Sequence, residues 1–488
     1  MGNDIRGNLS RRGMLGLGAV GIVGGTCPTL ACSEPGARGS RILLQGGIVL
    51  SMDASVGDFS IADVLIDEGK IVAVGPRLSE EGAEVVDASG KIVMPGFVDT
   101  HRHLWQGLIR NSGPDDLLGD YLANILFGVA PVITPDEVYV GDLVSALSAL
   151  NSGITTILDW SHIATTAEHT DAAIAALRDS GIRGVYGYGP NFGVTPPWYE
   201  NPGRPYPDDL RRLKTQYFSS SDQLLTLALA AAGPEFSNVD AAVTEWNIAR
   251  EVGARISVHV GVGGLGQSGL LAALAERVPL GDDTTYIHAC TLSDREWRLI
   301  ADSGGSVSLA TSVEMQMGHG IPPIQRAIDF GIRPSLSVDV ETNQPTDMFS
   351  QMHSCFALQR GLLNQNHLHP DLSHRSELLS VRDVLEFATV EGARANGLLN
   401  KIGTLTPGKQ ADIILLETRA LNVAPINDAI GAVVLGMDSS NVDSVFVAGR
   451  AVKWQGQLVG ANVADVLRRA EELRLRLLER VGGDPSVV

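Results

Sequence analysis

Residues 91–103 read Lys91-Ile-Val-Met-Pro-Gly-Phe-Val-Asp-Thr-His-Arg-His103. A short apolar strand, Gly96 to Val98, ends in Asp99-Thr100 and then in two imidazoles one residue apart. Side chains alternate faces along a strand, so positions i and i+2 point the same way. His101 and His103 at this spacing can reach one metal ion, for which neutral imidazole is a common ligand. A His-x-His triplet alone is a weak signal, and the surrounding chain gives it meaning.

From residue 97 to about 400 the pattern runs strand, helix, strand, helix. Strands are expected at Phe97–Thr100, Gly153–Leu158, Arg183–Tyr188, Leu224–Ala230, Arg255–His259, Thr284–His288, Ser306–Ala310 and Arg333–Val338. Helices such as Asp136–Leu150, Thr170–Asp179, Val239–Val252 and Ser293–Ala301 separate them. Eight strands in this alternation predict an α/β fold, a closed (β/α)8 TIM-type barrel over residues 97–400. Before it, residues 41–96 read as short strands (Arg41–Leu50, Ile61–Ile66, Lys70–Val74) with turns at Gly46-Gly47 and Asp67-Glu68-Gly69. Short strands return after residue 401, in Ala411–Leu416, Ser444–Val447 and Arg450–Trp454. Residues 461–488 hold a terminal helix, Val463 to Val481, stopped by Gly482-Gly483, and a tail.

In such a barrel, function collects at the C-terminal ends of strands. The first strand ends in His101 and His103, the fifth in His259, the sixth in His288 and the eighth in Asp339. Four imidazoles and one carboxylate then converge from different strands, a set that suits zinc or ferrous iron and leaves a position for water. Each alone has a plainer reading, a buried His bonded to backbone or an Asp capping a helix. Their joint occurrence favours the metal.

Composition narrows the rest. A formal net charge of −19 over 488 residues excludes the basic footprint of a nucleic-acid binder. Ser10-Arg11-Arg12-Gly13-Met14-Leu15 fits the twin-arginine pattern, and the Gly-rich stretch Gly16 to Gly25 after it is too short for a membrane span. Residues 1–40 are therefore expected to be a signal and linker, with export by the twin-arginine machinery to the periplasm or outside the cell. Ala31-Cys32 offers a lipoprotein cleavage point, although Thr29 is a poor residue three places earlier; an anchor at Cys32 stays an alternative. Cys290 and Cys355 are expected as free buried thiols, and the lack of Cys-x-x-Cys argues against a thiolate zinc site.

With Pro95–His103, His259, His288, Ser337-Val-Asp339 and Ile402-Gly-Thr-Leu-Thr-Pro-Gly-Lys-Gln-Ala-Asp412, the chain resembles the amidohydrolase superfamily, in the branch of cytosine deaminase, guanine deaminase and atrazine chlorohydrolase. The resemblance implies that residues 41–96 and 401–460 form one small β-sandwich from both chain ends. It implies one divalent ion, Zn2+ or Fe2+, on His101, His103, His259 and Asp339, with His288 beside it or polarising the substrate. Binuclear relatives carry a carboxylated Lys at the end of the fourth strand. None of Lys70, Lys91, Lys214, Lys401, Lys409 and Lys453 ends a barrel strand, so a mononuclear site is expected. The implied reaction is hydrolysis: metal-activated water attacks an sp2 carbon of a small cyclic or heteroaromatic nitrogen compound and a C–N bond breaks. Asp339 accepts the water proton and delivers it to the leaving group, and His288 stabilises the charge that develops.

Two features of that branch are absent. A Glu three residues after the fifth-strand His is replaced by Val262, and His-x-Pro-x-Ser-Asn after the seventh strand is replaced by the segment Leu309 to His319. The missing Glu shuttles a proton to a ring nitrogen during deamination, so amide hydrolysis or another leaving group gains weight. Lyase, decarboxylase or dechlorinase chemistry on the same scaffold is the alternative, and a non-catalytic binding protein the remaining class. Glu235, Glu314, Glu341 and His162 are candidate stand-ins, while Trp105 and Gln106 are expected to line the pocket. The expected partner is a small-molecule substrate. The Leu-rich terminal helix packs either on its own chain or in a homo-oligomer.

Overall fold

Two runs of short strands, one from each end of the chain, join in a single mixed sheet. The computed structural model describes residues 41–201, 203–365 and 377–482; the expected signal, with Cys27 and Cys32, lies outside them. The first run is β1 (Ile42–Val49), β2 (Phe59–Asp67), β3 (Lys70–Gly75), β4 (Glu84–Asp87) and β5 (Lys91–Pro95). β1 and β2 pair antiparallel, and the turn into β3 is made by Glu68 and Gly69, both at positive φ.

The barrel follows: β6 (Phe97–Arg102), β7 (Ile154–Ala164), β8 (Arg183–Pro190), β9 (Leu225–Ala231), β10 (Arg255–Val260), β11 (Thr284–His288), β12 (Ser306–Leu309) and β13 (Ser335–Leu336). These eight are hydrogen-bonded in chain order, every pair parallel. β6, β7 and β8 are buried along their whole length, as strands covered on both faces must be. Two ends differ from expectation. β7 continues past Leu158 to Ala164, and β13 keeps only two of the six residues expected over Arg333–Val338. The backbone there leaves the ladder because Val338 N donates to Asp99 Oδ1 (3.2 Å). The seam between last and first strands is then closed by the site itself. Asp339 N donates to His101 O (2.9 Å) and His103 N to Asp339 O (3.0 Å).

The chain returns through β14 (Ile413–Glu417), β15 (Val442–Val447), β16 (Arg450–Trp454) and β17 (Gln457–Leu458). β14 lies antiparallel to β5, Ile413 opposite Pro95 and Glu417 opposite Lys91, which welds the two ends into one nine-stranded sheet. Its halves share one small core, in which Ile42, Val64 and Ile71 meet Ile413, Leu415 and Phe446. Arg183, at the start of β8, ties barrel to sheet through two hydrogen bonds to Asp412 (2.7 and 2.9 Å).

The helix Pro135–Asn151 opens on a capping box between Thr134 and Glu137, with Pro135 at its first position. It runs against the turn that follows β6. A Cβ on Gly107 would lie 2.2 Å from Gly141 O, so two glycines permit the approach that seats the His101–His103 segment. The terminal helix Val463–Val481 ends at Gly482 (φ 73°), as expected. Its Leu473 and Leu477 are buried and Arg480 pairs with Glu137, so it packs on its own chain. Cys290 and Cys355 are free thiols, the second buried.

Candidate metal centre

Alternation along β6 sends His101 inward and Arg102 the other way, where its guanidinium meets Asp99 (2.9 Å) and Glu341 (3.4 Å). At the seam, Asp339 Oδ1 lies 3.0 Å from His101 Nε2 and 3.2 Å from His103 Nε2. His288 Nε2 is 3.6 Å from Asp339 Oδ2, and His259 Nε2 is 3.2 Å from His101 Nε2. One ligand atom each from His101, His259, His288 and Asp339 lies within 4.8 Å of every other. His103 joins them through the shared carboxylate. Its Nδ1 donates to Trp160 O (2.8 Å), which fixes the proton there and leaves Nε2 bare. His288 and Asp339 hold φ of 71° and 72°, conformations that non-glycine residues avoid and that cluster at functional sites.

Charge at the cluster suits a cation. Burial pushes His101 down to about 3 and His288 to about 4, and holds His259 well below the usual imidazole range. Burial alone would raise the Asp339 carboxyl, but the His101 ring beside it, with His103 and His288, holds it well below the usual carboxylate range. Neutral imidazoles and an ionised carboxylate are the states that bind metal. Two neutral rings facing each other through Nε2 share at most one proton between them. Nitrogens and a carboxylate converging with so few protons fit a divalent ion.

The other expected residues sort by burial. His162, at the end of β7, lines the cavity above the cluster and stacks on His103 (centroids 4.0 Å apart). Trp105 and Gln106 do not line it. Both are fully buried behind the wall, Trp105 Nε1 donating to His162 Nδ1 (3.0 Å) and Gln106 Nε2 to Tyr121 Oη (2.7 Å). Glu341 is buried with Arg102, Arg110 and Ser145 as partners and is an anchor for the turn after β6. Glu235 accepts from Gly261 N (2.9 and 3.0 Å) and pins the turn after His259; burial pushes its carboxyl up to about 7. Glu314 reaches the site only through His288, its Oε1 3.1 Å from His288 Nδ1 while accepting from Ala310 N (2.8 Å). Burial pushes Glu314 up to about 8.

The cavity opens onto His103, His259, His288 and Asp339. Its walls are largely apolar, with Leu122, Leu126, Phe192, Phe236, Val262 and Met317. Tyr121 and His319 also face it and escaped the sequence reading. His319 packs edge-on against His288 (4.6 Å), and neither of its ring nitrogens has a hydrogen-bond partner. Its position at the end of the atypical segment after the seventh strand was the available signal. Tyr121 ends a single helical turn, Leu118–Tyr121, too short for a periodic pattern to mark it.

The sequence profile of the amidohydrolase family matches residues 92–452. A 5'-deoxyadenosine deaminase from Methanosarcina barkeri is 26% identical over 453 residues, 90% of this chain and 99% of its own. A 5-methylthioadenosine/S-adenosylhomocysteine deaminase from Thermococcus onnurineus is 28% identical over 407 residues, 81% of this chain and 91% of its own. Among solved structures, an adenosine deaminase from Xanthomonas campestris with bound zinc aligns at a TM-score of 0.77 and 22% identity, covering 90% of this chain and 99% of that one. Atrazine chlorohydrolase from Arthrobacter aurescens complexed with zinc aligns at 0.74 and 22%, covering 89% and 100%. The structural likenesses establish the shared fold.

Proposed function

The chain belongs to the amidohydrolase family, whose metal-dependent hydrolysis breaks non-peptide C–N bonds, and from there we propose that its substrate is a small planar nitrogen heterocycle. The convergence of four imidazoles on Asp339 beneath an apolar cavity carries this reading. His101, His103, His259 and Asp339 hold one divalent ion, with His288 beside it. Zn2+ is the first candidate and Fe2+ the alternative; the zinc in the two structural relatives supports the first. The ion supplies a water whose pKa falls toward neutrality.

The residues do the rest. Asp339, ionised in its buried seat, accepts the water proton and passes it to the leaving nitrogen. Glu314 keeps its own proton near neutral pH. Carried on Oε1, that proton goes to His288 Nδ1, while the same oxygen accepts from Ala310 N. His288 then presents Nε2–H to the cavity, the tautomer that stabilises developing negative charge. Glu314→Gln keeps the shape but supplies only an acceptor at that position, which puts the His288 proton on Nδ1. Turnover is expected to fall about 10- to 100-fold with zinc content unchanged; a wild-type rate contradicts the assignment.

Deaminases acting on adenosine-type compounds among the relatives make adenine nucleosides the first compounds to test. Val262, apolar where a proton-shuttling Glu is common, keeps cyclic amides and halogenated heterocycles on the panel. Zinc-loaded protein incubated with these classes and followed by mass spectrometry is expected to give a product that gains water, with loss of ammonia for an amine. Fragmentation without gain of water supports the lyase alternative and overturns the proposal. The twin-arginine segment supports export of the folded, metal-loaded enzyme.

A further inference from the structure

Tyr121 and His162 sit side by side in the cavity wall, 5% and 2% exposed, and neither takes part in the chemistry above. The direction of every hydrogen bond around them is fixed. Trp105 Nε1 is a donor only, and it lies 3.0 Å from His162 Nδ1. That nitrogen therefore accepts and carries no proton, so the single ring proton sits on Nε2. On the other side, Glu341 N donates to Gln106 Oε1 (3.1 Å), which sets the amide. Its Nε2 then donates to the Tyr121 oxygen (2.7 Å). Tyr121 Oη lies 3.4 Å from His162 Nε2, itself an N–H. Neither neighbour can accept the phenol proton.

His162 Nε2–H instead donates to the Tyr121 oxygen, and the phenol proton alone is left without an acceptor inside the wall. The supports of both residues, Trp105, Gln106 and Glu341, are all fully buried, so the arrangement is built and not incidental. Tyr121 ends the short helix Leu118–Tyr121, and a wide-turn helix, Leu122–Val129, continues directly from it; such turns are frequent at functional sites.

We propose that Tyr121 O–H, its oxygen held by donation from Gln106 Nε2 and His162 Nε2, is a donor for one acceptor atom, a ring nitrogen or a carbonyl oxygen, on the edge of a planar heterocycle. It supplies a proton in a cavity where Val262 offers only methyl groups. It selects acceptor-edged rings, since an edge without an acceptor leaves a buried donor unpaired. The proposal rests on the reading that this cavity takes a planar heterocycle.

The test is calorimetric binding to the zinc-loaded full chain of 4-aminoquinazoline and 1-aminonaphthalene, the same bicycle with and without ring nitrogens. Wild type is expected to prefer the quinazoline, and Tyr121→Phe to cut that preference about tenfold with zinc content unchanged. His162→Phe, which keeps a ring stacked on His103, is expected to do the same. An equal preference in wild type and both variants overturns the proposal, and so does failure of 4-aminoquinazoline to bind wild type. Loss of zinc from Tyr121→Phe also overturns it, because a substrate donor has no part in holding the ion. Turnover is read separately. A wild type that keeps the probe preference but transforms no compound of the panel refutes the catalytic reading while supporting the Tyr121 donor.

Discussion

Asp339→Asn is expected to lower kcat by about a thousandfold while the protein keeps its ion. Asp339 meets three of the four imidazoles, with Oδ1 on His101 and His103 and Oδ2 toward His288. An Asn side chain keeps the shape and one ligand oxygen, and it loses the basic oxygen that takes the water proton. The backbone tolerates the change. Asp339 stands at φ 72°, in the left-handed region where Asn is among the few side chains that settle readily. Its amide bond to His101 O, which closes the barrel seam, involves no side-chain atom. Steady-state kinetics with metal analysis on the same sample checks this. Turnover at the wild-type rate sinks the role of Asp339.

Asp412→Ala is expected to cost about 3–5 kcal/mol of stability. The Arg183 guanidinium and the Asp412 carboxylate are both nearly fully buried and meet through two parallel hydrogen bonds (2.7 and 2.9 Å). Asp412 also accepts from Ala448 N (2.8 Å). Removing the carboxylate strands a buried cation and a backbone N–H at the junction of barrel and sheet. Gly96 N donates to Asp412 O (3.0 Å), so the same junction leads directly into β6. Denaturant unfolding reads the loss. The double replacement Arg183→Met with Asp412→Leu is expected to regain most of it, because a well-packed apolar pair needs no desolvation of charge. A loss under about 1 kcal/mol for the single variant contradicts the assignment of this pair.

Much of this was legible in the sequence for a physical reason. Parallel strands covered on both faces are continuous apolar runs, and the polar residue that ends each run marks the barrel mouth. His101, His259, His288 and Asp339 were visible in that way. What failed depended on tertiary placement. Trp105 and Gln106 follow the metal motif closely, yet the strand stops at Arg102 and a tight turn, Leu104–Leu108, folds both into the core. The eighth strand shrank because Asp99 draws Val338 out of the ladder. Glu235 and Glu341 look free in sequence, since nothing local shows that Gly261 N and two arginines will claim them. His319 reaches the cavity from a loop and Tyr121 from a single helical turn, where neither period two nor period 3.6 marks the inward face.

Metal content, measured on the purified protein and again after chelation, is the most direct test of the site. One divalent ion per chain is expected, with turnover lost on chelation and restored by zinc alone. Two ions per chain, or turnover that survives complete removal of metal, would contradict the mononuclear centre on His101, His103, His259 and Asp339.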